Sequence, residues 1–232
     1  MTKVEMSDCL DRPVWKMLIG PQAQLTLGNQ LARRIDPGFG PFAAARDKTP
    51  ESLAALASLI APGEQVWLVE PEEWPVPEGL TLLHIAPLLQ MVAERPMPVQ
   101  PEDAEVEQLD EADATAMTEL ALATKPGPWG EKTRLYGQFF GIRRDGRLAA
   151  MAGERMRPAP GLAELSAVCT WPDYRGQGLA GKLIRRVMAG FAAKGQVPFL
   201  HSYAGNAKAI ALYESLGFTA RREMVVTVLG RL

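Results

Sequence analysis

The chain reads Arg175-Gly176-Gln177-Gly178-Leu179-Ala180-Gly181-Lys182 where a predicted strand, residues 162–170, is followed by a predicted helix, residues 179–194. The first N–H groups of a helix have no partner within the helix, and the helix dipole is positive at that end. Glycines let the backbone approach a ligand closely because they carry no side chain. This stretch therefore predicts a site for an anion, such as a phosphate group, at the start of the helix.

The helix after this loop has the clearest pattern in the chain. Its polar face carries Lys182, Arg185 and Arg186, and Gly195 is a typical helix end. The opposite face is apolar at the 3.6-residue period of a helix, which predicts one buried side. That face consists of Leu179, Leu183, Ile184, Val187, Met188 and Phe191.

Two nucleotide-binding motifs overlap the loop, and each lacks a part. Residues 176–182 match GxxxxGK, the start of a P-loop, but Leu183 stands where a magnesium-binding Ser or Thr is needed. The three glycines also match GxGxxG, which needs its first glycine directly after the strand and an acidic residue about 20 positions further on. Here residues 171–175 intervene, and the next strand, residues 199–203, contains no acid. ATP chemistry and dinucleotide binding are therefore disfavoured.

A third pattern fits the loop better. Arg175, Gly178 and Ala180 match [Q/R]-x-x-G-x-[G/A], after a strand ending Val168-Cys169-Thr170 and the residues Pro-Asp-Tyr. A second stretch, residues 206–218, begins with an asparagine and ends Leu-Gly-Phe. Together these motifs resemble the GNAT superfamily of N-acetyltransferases.

The resemblance is specific over residues 163–218 and extends to about residues 105–232. Residues 171–178, taken with residues 198–201, look most like the FR47-like branch of the superfamily. The fold class that the resemblance implies is α/β (α+β), with a mixed, mostly antiparallel twisted sheet flanked by helices. It also implies acetyl-CoA as co-substrate, direct attack of an amine on the thioester, and no metal.

The resemblance carries over to named residues of this chain. The backbone N–H groups of the loop would hold the CoA pyrophosphate, and the strand before the loop would splay from its neighbour and pair with the pantetheine. Asn206 would face the pantetheine or order the loop, and a plain helix cap is an equal alternative. The implied CoA-binding residues are Val168, Cys169, Thr170, Arg175, Gly176, Gln177, Gly178, Leu179, Ala180, Gly181 and Asn206.

Acetyl transfer needs one proton removed from the ammonium and one given to the leaving thiolate. In this family the acid is often a tyrosine on the helix after the asparagine, which is Tyr213 here; packing in the core is its alternative. His201 stands where some relatives carry a glutamate base, and histidine is the side chain whose ordinary pKa is nearest to neutral pH, so it could serve; a histidine that lines the cleft or is satisfied in the core is the alternative. Glu164 and Glu154 on the two preceding strands are rival bases or exposed strand residues.

Two further residues carry open alternatives. Cys169 has no local His or Asp partner, so we interpret it as a small packing residue and not as a nucleophile. Trp129, in a Pro/Gly-rich loop, either shapes the acceptor pocket or anchors the loop.

Composition excludes several classes of protein. The formal net charge is −2, so nothing predicts the basic face of a nucleic-acid-binding protein. The two cysteines and two histidines have no metal-ligand spacing. No apolar leader or membrane-length segment occurs, so we expect a cytoplasmic protein without membrane contact.

The first half of the chain alternates predicted helices and strands. A first helix is expected to start at Asp11-Arg12-Pro13 and to stop at Gly20-Pro21, and a second one to run from there to about Arg34. Two more helices are expected, one after Thr49-Pro50 and one from Pro87 to before Pro96. Strands are expected at residues 42–45, 66–69 and 80–85. The prolines at positions 96, 98 and 101 predict a linker. Two domains are expected: an N-terminal α/β domain, residues 1–100, and the acetyltransferase domain, residues 101–232. The N-terminal domain could be a degenerate half-copy of the same fold, as in glycine N-acyltransferase-like proteins.

The second half predicts the core of that fold. Strands are expected at residues 106–109, 139–143, 148–154, 199–203 and 224–229, and helices at residues 111–123 and 206–216. Asp145-Gly146 predicts a hairpin between the second and third of these strands.

Three hypotheses of function remain open at this point. The first is an N-acetyltransferase that acts on an amine of a small molecule or peptide, as a monomer or homodimer. The second is a non-catalytic CoA-binding or regulatory module, because residues 1–100 and the base are unassigned. The third is a nucleotide-dependent enzyme, from the GxxxxGK match.

Overall fold

A computed structural model describes residues 3–232, with side chains from Met6 onward. Within that part of the chain the α-helices are α1 Lys3–Asp11, α2 Pro13–Ile19, α3 Pro50–Ser58, α4 Ala114–Thr124, α5 Leu179–Ala193 and α6 Ala207–Ser215. The strands are β1 Thr26–Gly28, β2 Ala32–Ile35, β3 Ala43–Ala45, β4 Gln65–Glu70, β5 Thr81–Val92, β6 Glu107–Leu109, β7 Phe139–Arg144, β8 Arg147–Glu154, β9 Leu162–Thr170, β10 Val197–Tyr203 and β11 Thr219–Gly230.

Eight strands form one mixed sheet in the order β4-β11-β5-β10-β9-β8-β7-β6. All neighbours in it are antiparallel except β9 and β10, which are parallel. A separate three-stranded sheet has the order β1-β2-β3. The predicted α/β (α+β) fold class is confirmed, with a mostly antiparallel sheet flanked by helices.

Helices cover both faces of the sheet because neighbouring strand residues point to opposite sides. On β8, Ala150 and Ala152 pack in a cluster with the apolar face of α5, including Leu183. Met151, between them, packs in another cluster with Met117 of α4. The predicted apolar face of α5 is buried along its whole length, from Leu179 to Phe191.

The hairpin predicted at Asp145-Gly146 is confirmed. Both residues have positive φ, 52° and 74°, as a two-residue turn of the mirror-image type requires. Thr49 caps α3 by accepting a hydrogen bond from the Ser52 N–H, and Asn206 caps α6 by accepting one from the Ala209 N–H. The caps therefore fix both helix starts where the sequence predicted them.

The helix predicted as far as Arg34 is wrong, and the segment forms the hairpin of β1 and β2 instead. The Asn29 side chain accepts hydrogen bonds from the N–H groups of Leu31 and Ala32, at 2.8 and 3.2 Å, and so closes the turn. Gly28 enters the turn with φ of 115°. Side-chain bonds of asparagine to nearby backbone compete with helix formation, and here they prevail.

The helix predicted from Pro87 is also wrong, because β5 continues through that proline to Val92. Residues 88–92 lie between β10 and β11 and pair with both. Pro87 is tolerated where the pairing with β10 ends, at Leu88 opposite Tyr203. Pairing of this twelve-residue strand within the sheet therefore outweighs the local preference of the proline for a helix start.

The sheet takes strands from both sides of the expected linker. β4 and β5 precede residue 100, and they pair with β10 and β11 near the other end of the chain. A division near residue 100 into separately folding units stays a prediction, as does the half-copy hypothesis.

No helix among residues 3–232 is long and apolar enough to cross a membrane. In the same residues no group of three or more His, Cys, Asp or Glu side chains is arranged to hold a metal ion.

Candidate active site

A cleft of about 660 Å³ opens where β9 and β10 separate. The two strands pair only from Leu162 opposite Val197 to Glu164 opposite Phe199. Beyond that point residues 165–170 and 200–203 do not pair with each other, so backbone groups on the facing edges are free for a ligand. The cleft brings together nine of the predicted site residues: Val168, Cys169, Thr170, Arg175, Gly176, Ala180, His201, Asn206 and Tyr213.

A bulge in β9 accompanies the separation. The register against β8 shifts between Met151 opposite Cys169 and Gly153 opposite Ser166, and Ala167 within the bulge has φ of 53°. A bulge bends its strand and strengthens the local twist. It therefore helps β9 to turn away from β10.

The glycine loop forms one end of the cleft. Gly176 and Gly178 have φ of 78° and 74°, and a Cβ on either would point into open space with no atom within 4 Å. Gly178 is the N-cap of α5, and the N–H groups of residues 176–181 have no acceptor among the described residues. Four predicted members of the loop are not among the residues that line the cleft: Gln177, Gly178, Leu179 and Gly181.

The charges that line the cleft are all positive. They belong to Lys125, Arg155, Arg175 and Lys208, and of the acidic residues that the structure describes none lines the cleft. Lys125 and Lys208 form no ion pair within the described chain. The cleft therefore favours anionic ligands and disfavours polycationic ones.

Tyr213 lies on α6, seven residues after Asn206, and no hydrogen bond joins its hydroxyl to the part of the chain whose side chains are described. Its ring packs edge-on against Phe218 at 5.9 Å between centroids. Burial raises the pKa of Tyr213 to about 12, although the positive charge of Arg155 acts in the opposite direction. The phenol therefore stays protonated at neutral pH and can serve as a proton donor.

His201 lines the cleft, but both of its ring nitrogens are engaged. Arg221 donates to the Gln90 Oε1 at 2.7 Å, which orients that amide, because an arginine can only donate. The Gln90 Nε2 then donates to the Leu10 carbonyl at 2.9 Å and faces the His201 Nε2 at 3.0 Å. His201 must accept there, so its Nδ1–H donates to Glu164 at 2.8 Å. This chain of bonds fixes the orientation of the imidazole, with a proton on Nδ1 and with Nε2 occupied by Gln90.

The geometry corrects the role predicted for Glu164. Its side chain is fully buried behind the cleft, where Arg155 donates from Nε and Nη2 at 2.8 and 3.1 Å. Burial raises the pKa of Glu164, but the charge of Arg155 and the hydrogen bonds from His201 and Arg155 outweigh it and lower the pKa to about 2. A carboxylate with so low a pKa and no contact with the cleft is a poor base.

Of the remaining candidates, Glu154 and Trp129 lie outside the cleft, whereas Cys169 lines it. Glu154 is buried outside the cleft and bonded to Lys194 at 2.8 Å. Trp129 packs edge-on against Phe139 at 5.7 Å, which fits an anchor of its loop. Burial raises the pKa of Cys169 to about 12, so its thiol is a packing group at neutral pH.

The sequence did not predict several of the cleft residues, among them Arg155, Lys125 and Lys208. Four more come from the N-terminal half, where their apolar side chains form a wall of the cleft. We call this set the N-terminal wall: Phe42, Trp67, Val69 and Leu88. Strand patterning indicated burial at residues 66–69, but no local motif indicates which buried face meets a ligand.

Comparison with known proteins agrees with this geometry. Residues 139–226 match the family model described as FR47-like protein. A solved structure from Novosphingobium aromaticivorans, assigned to the GNAT family of acetyltransferases, is 58% identical, covers 97% of this chain and 99% of its own, and superposes with a TM-score of 0.92. The chain belongs to the GNAT family. It is accordingly an N-acetyltransferase, as the loop and the Asn206 helix indicated.

Two further GNAT comparisons differ in extent. The [ribosomal protein bS18]-alanine N-acetyltransferase of Escherichia coli K12 is 33% identical over 135 residues, which cover 54% of this chain and 90% of that protein. A GCN5-related N-acetyltransferase-like protein from Streptococcus suis is only 14% identical but covers 93% of this chain and 92% of its own, with a TM-score of 0.59. The second comparison shows a shared fold alone.

Proposed function

We propose that this GNAT enzyme transfers an acetyl group from acetyl-CoA to an amine of a small molecule or peptide. The observation that carries the proposal is the separation of β9 from β10 directly beside the glycine loop, with Tyr213 in the same cleft.

The residues present fit a CoA donor. A pyrophosphate would accept from the free N–H groups of residues 176–181, with Arg175 and Lys208 as nearby cations. The space at Gly176 and Gly178 that a Cβ would fill allows that close approach. The pantetheine amides would pair with the unpaired edge of β9 at Val168, Cys169 and Thr170.

The bound donor supplies the acetyl group as a thioester that the amine attacks. Tyr213 then gives its hydroxyl proton to the departing sulfur, because this half-buried phenol lines the cleft and is protonated at neutral pH. We assign His201 a positioning role instead of the base role, because Gln90 and Glu164 occupy its two nitrogens.

No carboxylate of the described chain lines the cleft to take the proton from an ammonium. The acceptor therefore reacts from its unprotonated fraction, and the ammonium proton is lost to water before the attack. The second proton, which the nitrogen releases as the amide forms, restores the Tyr213 hydroxyl after that group has protonated the sulfur. The reaction rate is expected to rise with pH until the amine is deprotonated.

The E. coli relative acts on an alanine of a ribosomal protein, so a peptide N-terminus falls within the proposed acceptors. A cytoplasmic location and a homodimer stay predictions.

The test is a thermal-shift titration with acetyl-CoA, CoA, Mg-ATP and NADH, followed by a thiol-release assay over an amine panel. Stabilisation by the two CoA species alone, with thiol release that needs an amine, supports the proposal. CoA binding without turnover of any amine favours a non-catalytic CoA-binding module. Stabilisation by Mg-ATP or NADH instead would withdraw the donor assignment.

A further inference from the structure

We propose that the acceptor is a small amine that carries a carboxylate and an apolar side chain, in chemical class an apolar α-amino acid, and that Arg155 binds its carboxylate. The inference rests on the proposed function and narrows its acceptor. It is carried by Arg155, the N-terminal wall and the absence of acidic side chains among the described cleft residues.

Arg155 is held in place on two sides, and one part of it faces the cleft. Its Nε and Nη2 bond to the fully buried Glu164, and its guanidinium lies over the Phe42 ring at 5.0 Å. Its Nη1 has no hydrogen-bond partner within the described chain, and it is not sealed off from solvent. A guanidinium fixed in this way offers a preorganised donor to an anion, with little side-chain entropy left to lose.

The position of Arg155 suits a carboxylate that is close to the reacting amine. Arg155 and Tyr213 line the same cleft, and the charge of Arg155 acts on the Tyr213 phenol. The amine nitrogen and the carboxylate of an α-amino acid are both bonded to the same Cα. A carboxylate on Arg155 would therefore direct the α-amine toward the tyrosine end of the cleft.

The N-terminal wall supplies the apolar part of the site. Trp67 and Phe42 are joined by a parallel bridge between their backbones, and Val69 and Leu88 continue the surface into the sheet. Lys125 also lines the cleft, two residues before Gly127, where an added Cβ would lie 3.4 Å from the Arg155 Nη1. An apolar side chain gains from burial on such a wall, whereas a polyamine or a basic peptide meets only like charges.

The first test compares acceptors with the wild-type enzyme and saturating acetyl-CoA. L-Leucine, L-leucinamide, 3-methylbutylamine and glycine differ only in carboxylate or side chain. We expect kcat/KM for leucine to exceed that for the amide and the plain amine by at least about tenfold, the scale of one charged hydrogen bond. The amide has the less basic amine, so a site without carboxylate recognition would favour the amide. Equal or faster turnover of leucinamide overturns the proposal.

The second test separates recognition from folding. Arg155→Met alone leaves Glu164 buried without a counter-charge, so the informative variant is Arg155→Met with Glu164→Gln. We expect this double variant to be folded, as cooperative unfolding would show, and to bind acetyl-CoA with the affinity of the wild type. Its leucine-to-leucinamide preference should fall to one or below, because the less basic amide is then the better acceptor, and the change should come mainly through KM for leucine. A preference retained by a folded double variant overturns the proposal.

The N-terminal wall is tested by Trp67→Ala. The variant should lose the preference for leucine over glycine and keep the preference for leucine over leucinamide. An unchanged leucine-to-glycine ratio contradicts the wall assignment.

Turnover of other amines by the wild-type enzyme without turnover of leucine overturns this inference alone. Absence of both acetyl-CoA binding and thiol release overturns the proposed function together with it.

Discussion

The two ends of the cleft are built in opposite ways. The end proposed for the donor, the donor end, consists of backbone N–H groups on the exposed loop before α5, and its residues are contiguous in the sequence. The end proposed for the acceptor, the acceptor end, is lined by side chains from distant parts of the chain, including Phe42 and Arg155, with Glu164 buried behind them. A site made of local backbone geometry is visible in sequence, whereas a site made of long-range side-chain contacts is not.

The electrostatics of the two ends differ as well. The donor end relies on partial charges of free N–H groups, which need no neutralising partner. The acceptor end holds the full charges of Arg155 and Glu164 inside the protein, and each stabilises the other. Mutation should therefore affect ligand binding first at the donor end, and folding first at the acceptor end.

The largest effect is expected from Tyr213→Phe. Removal of the acid should lower kcat by about 10²–10⁴-fold with acetyl-CoA binding unchanged, because the leaving thiolate loses its proton donor. Single-turnover thiol release measures this effect. Tyr136→Phe is the matched control, since the buried Tyr136 hydroxyl has no partner in the described chain and does not line the cleft. Near-normal kcat in Tyr213→Phe would contradict the acid role.

Arg155→Met should lower the free energy of unfolding by about 3–5 kcal/mol, because it strands the buried carboxylate of Glu164. Urea denaturation checks this value. The Arg155→Met, Glu164→Gln double variant should recover most of the loss, since no buried charge is then left unpaired. A single variant as stable as the double would mean that water reaches Glu164.

The same pair predicts how stability depends on pH. The pKa of Glu164 falls from an ordinary 4.5 to about 2 on folding, so its stabilisation is complete above about pH 4.5 and is lost as the pH falls toward 2. Over this window the wild type should lose roughly 2–3 kcal/mol more than the double variant loses. Denaturation midpoints at pH 6, 4 and 3 measure the difference. Parallel curves for the two proteins would contradict the assignment.

Gly178→Ala tests the donor end and has the smallest expected effect. A methyl group would enter the space proposed for the pyrophosphate, so the Kd for acetyl-CoA should rise about tenfold, with a cost in stability of about 1 kcal/mol. Gly146→Ala is matched, because Gly146 has the same φ of 74° and equally open surroundings in a hairpin outside the cleft. Equal Kd values in the two variants would contradict donor binding at the loop.

Prediction from sequence followed the same division as the cleft. The α5 helix, the Asp145-Gly146 turn and the cap at Asn206 are set by local periodicity, positive φ and capping, so their sequences predict them. The segments at Asn29 and Pro87 were wrongly predicted as helix. The first is set by the hydrogen bond of the Asn29 side chain in the turn, and the second by pairing with strands more than 100 residues away. Burial of Glu164 and the engagement of His201 depend on Arg155, Gln90 and Arg221, which no spacing connects.

β5 also has a consequence for how the protein is made. This strand lies between β10 and β11, so it leaves the ribosome more than 100 residues before either neighbour exists. Contacts of such high sequence separation slow folding, and we expect the central sheet to close only after β11 has been synthesised. Until then β5 presents two unpaired edges, and Leu88, Met91 and Val92, which the folded sheet buries, stay exposed. We therefore expect the nascent chain to be a substrate for chaperones that bind extended apolar segments.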